Sequence, residues 1–136
     1  MNVEIRVMIN EVERATNIDN CIWGEIRIND FHENLIIPLE YWNVEDYENQ
    51  WVQGLKRIEN HDKSCLVASV QDPLDEPFIN WWLLYKESNR IVIRNSILFD
   101  HLYRNKIGNN LFTPSSCFNF IPKKSNDKVS EWIVTL

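Results

Sequence analysis

The chain has 136 residues, a length that suits one domain spanning 1–136, and its 44% apolar and 25% charged content is that of a folded globular protein, which excludes disorder. Its net charge is −6, and its three glycines are too few for a Gly-rich phosphate loop, a collagen repeat or a flexible linker. No run approaches 18 apolar residues and residues 1–6 lack the basic and apolar regions of an export signal, so no helical membrane span and a cytoplasmic location are expected.

Val3, Ile5, Val7 and Ile9 alternate with Glu4, Arg6 and Met8, which predicts a half-buried strand over 3–9. Residues 11–20 are polar and read as a loop ending in Asn17, Asp19 and Asn20. Residues 21–28 predict a second strand, with Ile22, Glu25 and Arg27 set against Trp23, Ile26 and Ile28 and the alternation slipping through a bulge at Gly24. Asn29-Asp30 is a turn signal, and 31–39 predicts the return strand of a hairpin, where Pro38 suits an edge or terminal position.

Asn43 is a good N-cap, followed by Glu45, Asp46 and Glu48, with Lys56 and Arg57 at the far end. Val44, Tyr47, Trp51, Leu55 and Ile58 recur at spacings of three and four, so a helix over 43–58 is predicted, with Trp51 as a core anchor. Residues 64–70 predict a strand, and Asp72-Pro73-Leu74-Asp75-Glu76-Pro77 a rigid exposed loop. The nearly continuous apolar run 78–85 reads as a central strand with Trp81 and Trp82 on opposite faces. Ser88-Asn89 is a tight turn, and 90–98 returns as a strand. Residues 100–114 read as a short helix or irregular loop, 117–121 as a short strand, 123–128 as a polar turn and 129–136 as a terminal strand carrying Trp132. The fold class is therefore α+β: a mainly antiparallel sheet or sandwich with one helix packed on it.

Charge is unevenly spread. Residues 1–76 carry sixteen Asp/Glu against six Lys/Arg, a balance of −10, whereas 77–136 carry four acids against eight bases, a balance of +4. An acidic half opposes nucleic-acid binding through that half and suits a basic partner. Cys21, Cys65 and Cys117 form no CxxC pair, and His32, His61 and His101 show no metal spacing. Asp72, Asp75 and Glu76 lack the alternating ligands and turn glycine of a calcium loop. No GxGxxG, GxxxxGK[ST] or GxSxG motif is present. No metal, cofactor or enzymatic activity is expected; a small hydrolase built on Cys117 or His101 is the weakest alternative.

Six Trp and four Tyr are many for this length, and sheet-borne aromatics can stack single-stranded bases. Such a site needs basic residues among the rings. Trp42 and Tyr47 instead stand among Glu40, Glu45, Asp46 and Glu48, and only Tyr85-Lys86 and the Arg90/Arg94 hairpin combine rings with bases. A sheet-based single-stranded nucleic-acid-binding protein is thus the alternative reading.

Several segments carry a resemblance together: Ile28-Asn29-Asp30-Phe31 leading to Ile37-Pro38-Leu39-Glu40-Tyr41-Trp42, then Asp46-Tyr47, Trp51, Asp72-Pro73, Phe78-Ile79-Asn80-Trp81 with Tyr85, residues 91–98 and Ser130-Glu131-Trp132. Their order resembles the immunity proteins of bacterial contact-dependent growth inhibition systems, in the group paired with ribonuclease toxins. The likeness implies a Whirly-like β-rich sandwich that is not an enzyme. It also implies a cationic partner, the RNA-cleaving toxin domain, with neither membrane nor nucleic acid bound directly. Because contact surfaces favour loops and helix ends, the residues expected to meet the toxin are Asp30 and Glu33, then Glu45, Asp46 and Glu48, then Asp72, Asp75 and Glu76. Tyr41, Trp42 and Tyr47 are expected to be their aromatic anchors.

Overall fold

A computed structural model of the chain describes residues 1–8, 20–71, 79–98 and 112–136. The predicted loops 11–19 and 72–77 and most of 100–114, with Ile9 and Phe78, lie outside the described residues.

Three strands, β1 (Val3–Val7), β2 (Cys21–Ile28) and β3 (Phe31–Pro38), form an antiparallel sheet in chain order. Strict alternation puts Val3, Ile5 and Val7 on its inner face. Asn29 turns the β2–β3 hairpin at φ 54°, a left-handed conformation that Asn tolerates. The expected bulge at Gly24 does not form. Gly24 pairs in register with Val7 on one side and Leu35 on the other. Ile22, Gly24, Ile26 and Ile28 therefore share the inner face, and Cys21, Trp23, Glu25 and Arg27 the outer one. A Cβ at Gly24 would run into Cδ1 of Ile37 and lie close to the Arg6 carbonyl, so a side chain there would make Ile37 shift.

A second antiparallel sheet orders β4 (Lys63–Val70), β5 (Ile79–Glu87), β6 (Arg90–Leu98) and β7 (Trp132–Thr135). β5 is internal and buried on both faces, as its apolar run predicts. Trp82 meets Phe31 and Trp132 at 6.3 and 5.3 Å between ring centres, while Trp81 faces Phe112 at 6.0 Å. Ser88 makes the tight turn with φ 58°. Residues 117–121 are not a strand. Cys117–Phe120 is a turn of 3-10 helix, because Thr113 and Ser116 close the chain locally: the Ser116 amide donates to Thr113 Oγ1 and the Thr113 amide to Ser116 Oγ, each at 2.9 Å.

The helix α1 (Val44–Arg57) begins in a capping box. The Asp46 amide donates to Asn43 Oδ1 at 2.8 Å, and the Asn43 amide donates to the Asp46 carboxylate at 3.0 Å. Its inner face carries Tyr47, Gln50, Trp51 and Gly54. Only two of these belong to the apolar stripe, and the other two show what the helix does. β4 pairs with β5 alone, so its other edge would leave buried backbone groups unbonded. The Val67 amide donates to Gln50 Oε1 at 2.8 Å, and Gln50 Nε2 donates to the Cys65 carbonyl at 2.9 Å. Trp51 Nε1 donates to the Val67 carbonyl at 2.8 Å, and the Val70 amide donates to the Tyr47 hydroxyl at 3.1 Å. That hydroxyl donates in turn to the Pro38 carbonyl at 2.8 Å, linking the end of β3 to the end of β4.

Gly54 lets the backbones approach, since a Cβ there would collide with the Cys65 carbonyl. Gly→Ala inside a helix ordinarily stabilises by about 1 kcal/mol. At Gly54 the sign is expected to reverse, with a loss of roughly 1–3 kcal/mol from overpacking. Trp51→Ala, which removes a side chain that is 3% exposed, is expected to lose roughly 3–5 kcal/mol. Urea denaturation of both variants measures these; a stabilised Gly54→Ala chain would contradict the close contact.

Candidate functional site

The inner face of α1 is committed to β4, which leaves Glu45, Glu48, Asn49, Val52 and Gln53 on its exposed face. Val52 is 56% exposed, an apolar residue one turn on from Glu48. Asp46 is half-buried and engaged in the capping box. Tyr41 is half-buried against the core.

The other two expected anchors, Trp42 and Tyr47, are core residues at 3% and 0% exposure, so neither offers its ring to a partner. Trp42 stacks on Phe112 at 5.7 Å and donates Nε1 to the Phe112 carbonyl at 2.9 Å. The Tyr47 ring meets Trp42 edge-on at 5.2 Å, and burial pushes the Tyr47 hydroxyl well above the usual phenol range. Their neighbouring acids suggest a wet site, but the Tyr47 ring points the other way, because a helix buries one stripe whatever the charge of the next residue. Trp42, which precedes the helix, is held inward by Phe112.

Asp30 and Glu33 are exposed at the β2–β3 turn and the start of β3. The helix start follows the opposite end of that strand. Phe31 to Pro38 spans seven residue steps, about 23 Å. The structure therefore separates the Asp30/Glu33 pair from the Glu45/Glu48 pair. Asp72, Asp75 and Glu76 lie outside the described residues, although β4, which precedes them, ends where Val70 bonds to Tyr47 on α1.

Sequence reasoning missed the outer face of the first sheet. There the Glu25 carboxylate sits among Arg27 Nε at 2.7 Å, Arg6 Nη2 at 3.5 Å and His32 Nδ1 at 3.8 Å. The hydrogen bond from Arg27 holds the Glu25 carboxyl below its ordinary value of 4.5, against some opposition from burial, and raises Arg27 in return. Glu25 is only 6% exposed because arginine side chains lie over it, not because it enters the interior. Trp23 and Ile36 are direct cross-strand neighbours on the same face, with Ile36 45% exposed. Uninterrupted alternation through Gly24 was the available signal.

Cys65 and Cys117 are buried, with the Gln50 amide nitrogen 3.6 and 3.5 Å from their sulfurs. Burial pushes the Cys65 thiol up, away from the reactive thiolate. Cys21 is half-buried. His101 lies outside the described residues. Among the described residues, no group of three or more His, Cys, Asp or Glu is placed to hold a metal, and no helix is long and apolar enough to cross a membrane.

Two antiparallel sheets with one helix bonded to the edge of the second, and charged and apolar groups together on their outer faces, define a small α+β protein. Residues 37–136 match the family model described as the CdiI N-terminal domain. Over 115 residues the chain is 32% identical to the immunity protein CdiI of Enterobacter cloacae subsp. cloacae, which covers 80% of this chain and 75% of that protein. It is also similar to a chain of the CdiA-CT/CdiI toxin and immunity complex from Enterobacter cloacae, with a TM-score of 0.70, 30% identity, and coverage of 85% of this chain and 79% of that one. The chain belongs to the CdiI immunity-protein family. The family match opens at Ile37, so it takes in α1 and the whole second sheet, while β1, β2 and most of β3 precede it.

The Glu25 cluster predicts a pH dependence. A carboxyl depressed in the folded state contributes stability that is present above about pH 4.5 and is lost as pH falls through the depressed value. Glu25→Gln should therefore show a shallower acid-side loss of stability than the parent chain. Parallel acid limbs in denaturation between pH 7 and pH 3 would show that the cluster contributes nothing.

Proposed function

We propose that this protein neutralises the carboxy-terminal toxin domain of a contact-dependent growth inhibition system by stoichiometric binding in the cytoplasm, without catalysing a reaction. In this reading the toxin is a cationic ribonuclease, kept from its RNA by the bound protein. The observation that carries the proposal is the likeness over 85% of the chain to a component of a toxin and immunity complex. Charge supports it: the exposed part of α1 begins with Glu45 and Glu48, and the acid-rich segment Asp72, Asp75 and Glu76 follows the strand that ends beside Tyr47. Complementary fields of this kind accelerate encounter and exclude wrong partners.

Burial of the aromatics favours this reading over the nucleic-acid alternative. Trp42, Trp51, Trp81 and Trp82 are all 3% exposed or less, so four of the six tryptophans present no face on which a base could stack.

Two sets of changes test the docking surface. Asp72, Asp75 and Glu76 changed together to Lys, or Glu45 and Glu48 changed to Lys, should slow association with the cognate toxin domain by on the order of tenfold or more at low salt. Both should abolish protection of cells expressing the toxin, while thermal unfolding stays close to that of the parent. Glu4, Glu11 and Glu13 changed to Lys should leave protection intact. Normal protection by both acidic variants, with loss in the amino-terminal one, would move the docking surface to the first sheet. Failure of the unaltered protein to bind the toxin at all would end the immunity reading.

A further inference from the structure

The end of the molecule where α1 finishes has the opposite charge from the end where it starts. Lys63 opens β4, Lys86 lies near the end of β5, and Lys123 and Lys124 follow the 3-10 turn. Together with Asp62, Tyr85 and Glu87 they line one cleft of about 460 Å3. Sequence distance hides the cluster, because the register of β4 on β5 sets Lys63 opposite Tyr85 and so beside Lys86.

Charge accounting leaves the cleft positive. Glu87 is shared by Lys124 Nζ at 2.6 Å and Arg90 Nη2 at 3.3 Å, so two cations meet its single charge. Its carboxyl is held below the ordinary value, chiefly by Lys124. Lys86 Nζ donates to the Glu59 carbonyl at 2.9 Å, which fixes that ammonium at the rim without cancelling its charge. Lys63 and Lys123 make no ion pair among the described residues. Asp62 is the remaining acid of the lining. Several ammonium groups around one space suit an anion with more than one charge and several acceptor oxygens, as a phosphate has, better than a single carboxylate. Tyr85 and Lys123 also line an adjoining cavity of about 260 Å3 beside Arg94, which gives room for a group attached to the phosphate.

We propose that the cleft formed by Lys63, Lys86, Lys123 and Lys124 is a binding site for a phosphate group, carried by free inorganic phosphate or by a mononucleotide. It is distinct from the acidic surface at the start of the helix and does not depend on which toxin that surface meets.

The test is calorimetric titration of the full chain with sodium phosphate, with ionic strength held constant by chloride, followed by a nucleoside 5′-monophosphate and the matching nucleoside. Saturable phosphate binding is expected. Lys63→Gln and Lys123→Gln should each weaken it roughly fivefold, the worth of one ammonium at contact distance in water. Glu45→Gln should leave it unchanged. Lys123 lies outside every strand and helix, so its variant keeps the test valid even if the Lys63 change disturbs β4. Tighter binding of the nucleotide, with a silent nucleoside, assigns the mononucleotide source; equal binding assigns free phosphate. Absence of saturable phosphate binding, or affinity unchanged in both lysine variants, overturns the proposal.

Discussion

An edge strand buried in the protein must have its outward backbone groups bonded, and β4 meets that requirement with side chains instead of another strand. Gln50 acts as a short stand-in for a neighbouring strand, accepting from the Val67 amide and donating to the Cys65 carbonyl, while Trp51 and Tyr47 satisfy the Val67 carbonyl and the Val70 amide. Leaving any of these groups unbonded would cost about 1–3 kcal/mol. The arrangement fixes the position of α1 to within hydrogen-bond geometry. Apolar packing alone would permit sliding, because the hydrophobic effect has no direction. Gly54 is the steric counterpart, allowing an approach that a methyl group would block.

The docking face proposed above would gain from that rigidity. A helix held by its inner face presents Glu45, Glu48 and Val52 from a backbone that has little freedom left to lose on binding. Family membership gives this face a context, and the match from Ile37 onward spans the elements that build it. The molecule is also polarised along α1, with carboxylates at the helix start and lysines around its end. For the cationic partner proposed above, one end attracts and the other repels, so orientation would be selected before contact is made.

Legibility of the sequence depended on which force dominates locally. The β5–β6 hairpin, the capping of α1 and the separation of Trp81 from Trp82 follow from periodicity and turn chemistry, and all three appear in the structure. Cys117 to Phe120 reads as a strand by apolar content, but the Thr113–Ser116 exchange of hydrogen bonds wins over a short apolar run. Gln50 was invisible as a core residue, since a polar side chain is buried only when tertiary partners exist, and those lie fifteen and seventeen residues away. The roles of Trp42 and Tyr47 were obscured for the converse reason. Their acidic neighbours suggested an exposed patch, whereas helix geometry turns Tyr47 inward, and Trp42, just before the helix, is held by a tertiary bond to the Phe112 carbonyl. The lysine cleft could not be read from spacing at all, because strand pairing and the chain after the 3-10 turn bring its members together.

Hydrogen exchange at the Val67 and Val70 amides tests the central claim, that α1 side chains complete the edge of β4. Both amides point away from β5 toward the helix and are bonded to Gln50 and Tyr47. If those bonds hold the fold together, the two amides exchange as slowly as the interior amides of β5, opening only when the whole protein unfolds. Exchange orders of magnitude faster, at the rate of an open strand edge, would contradict the account.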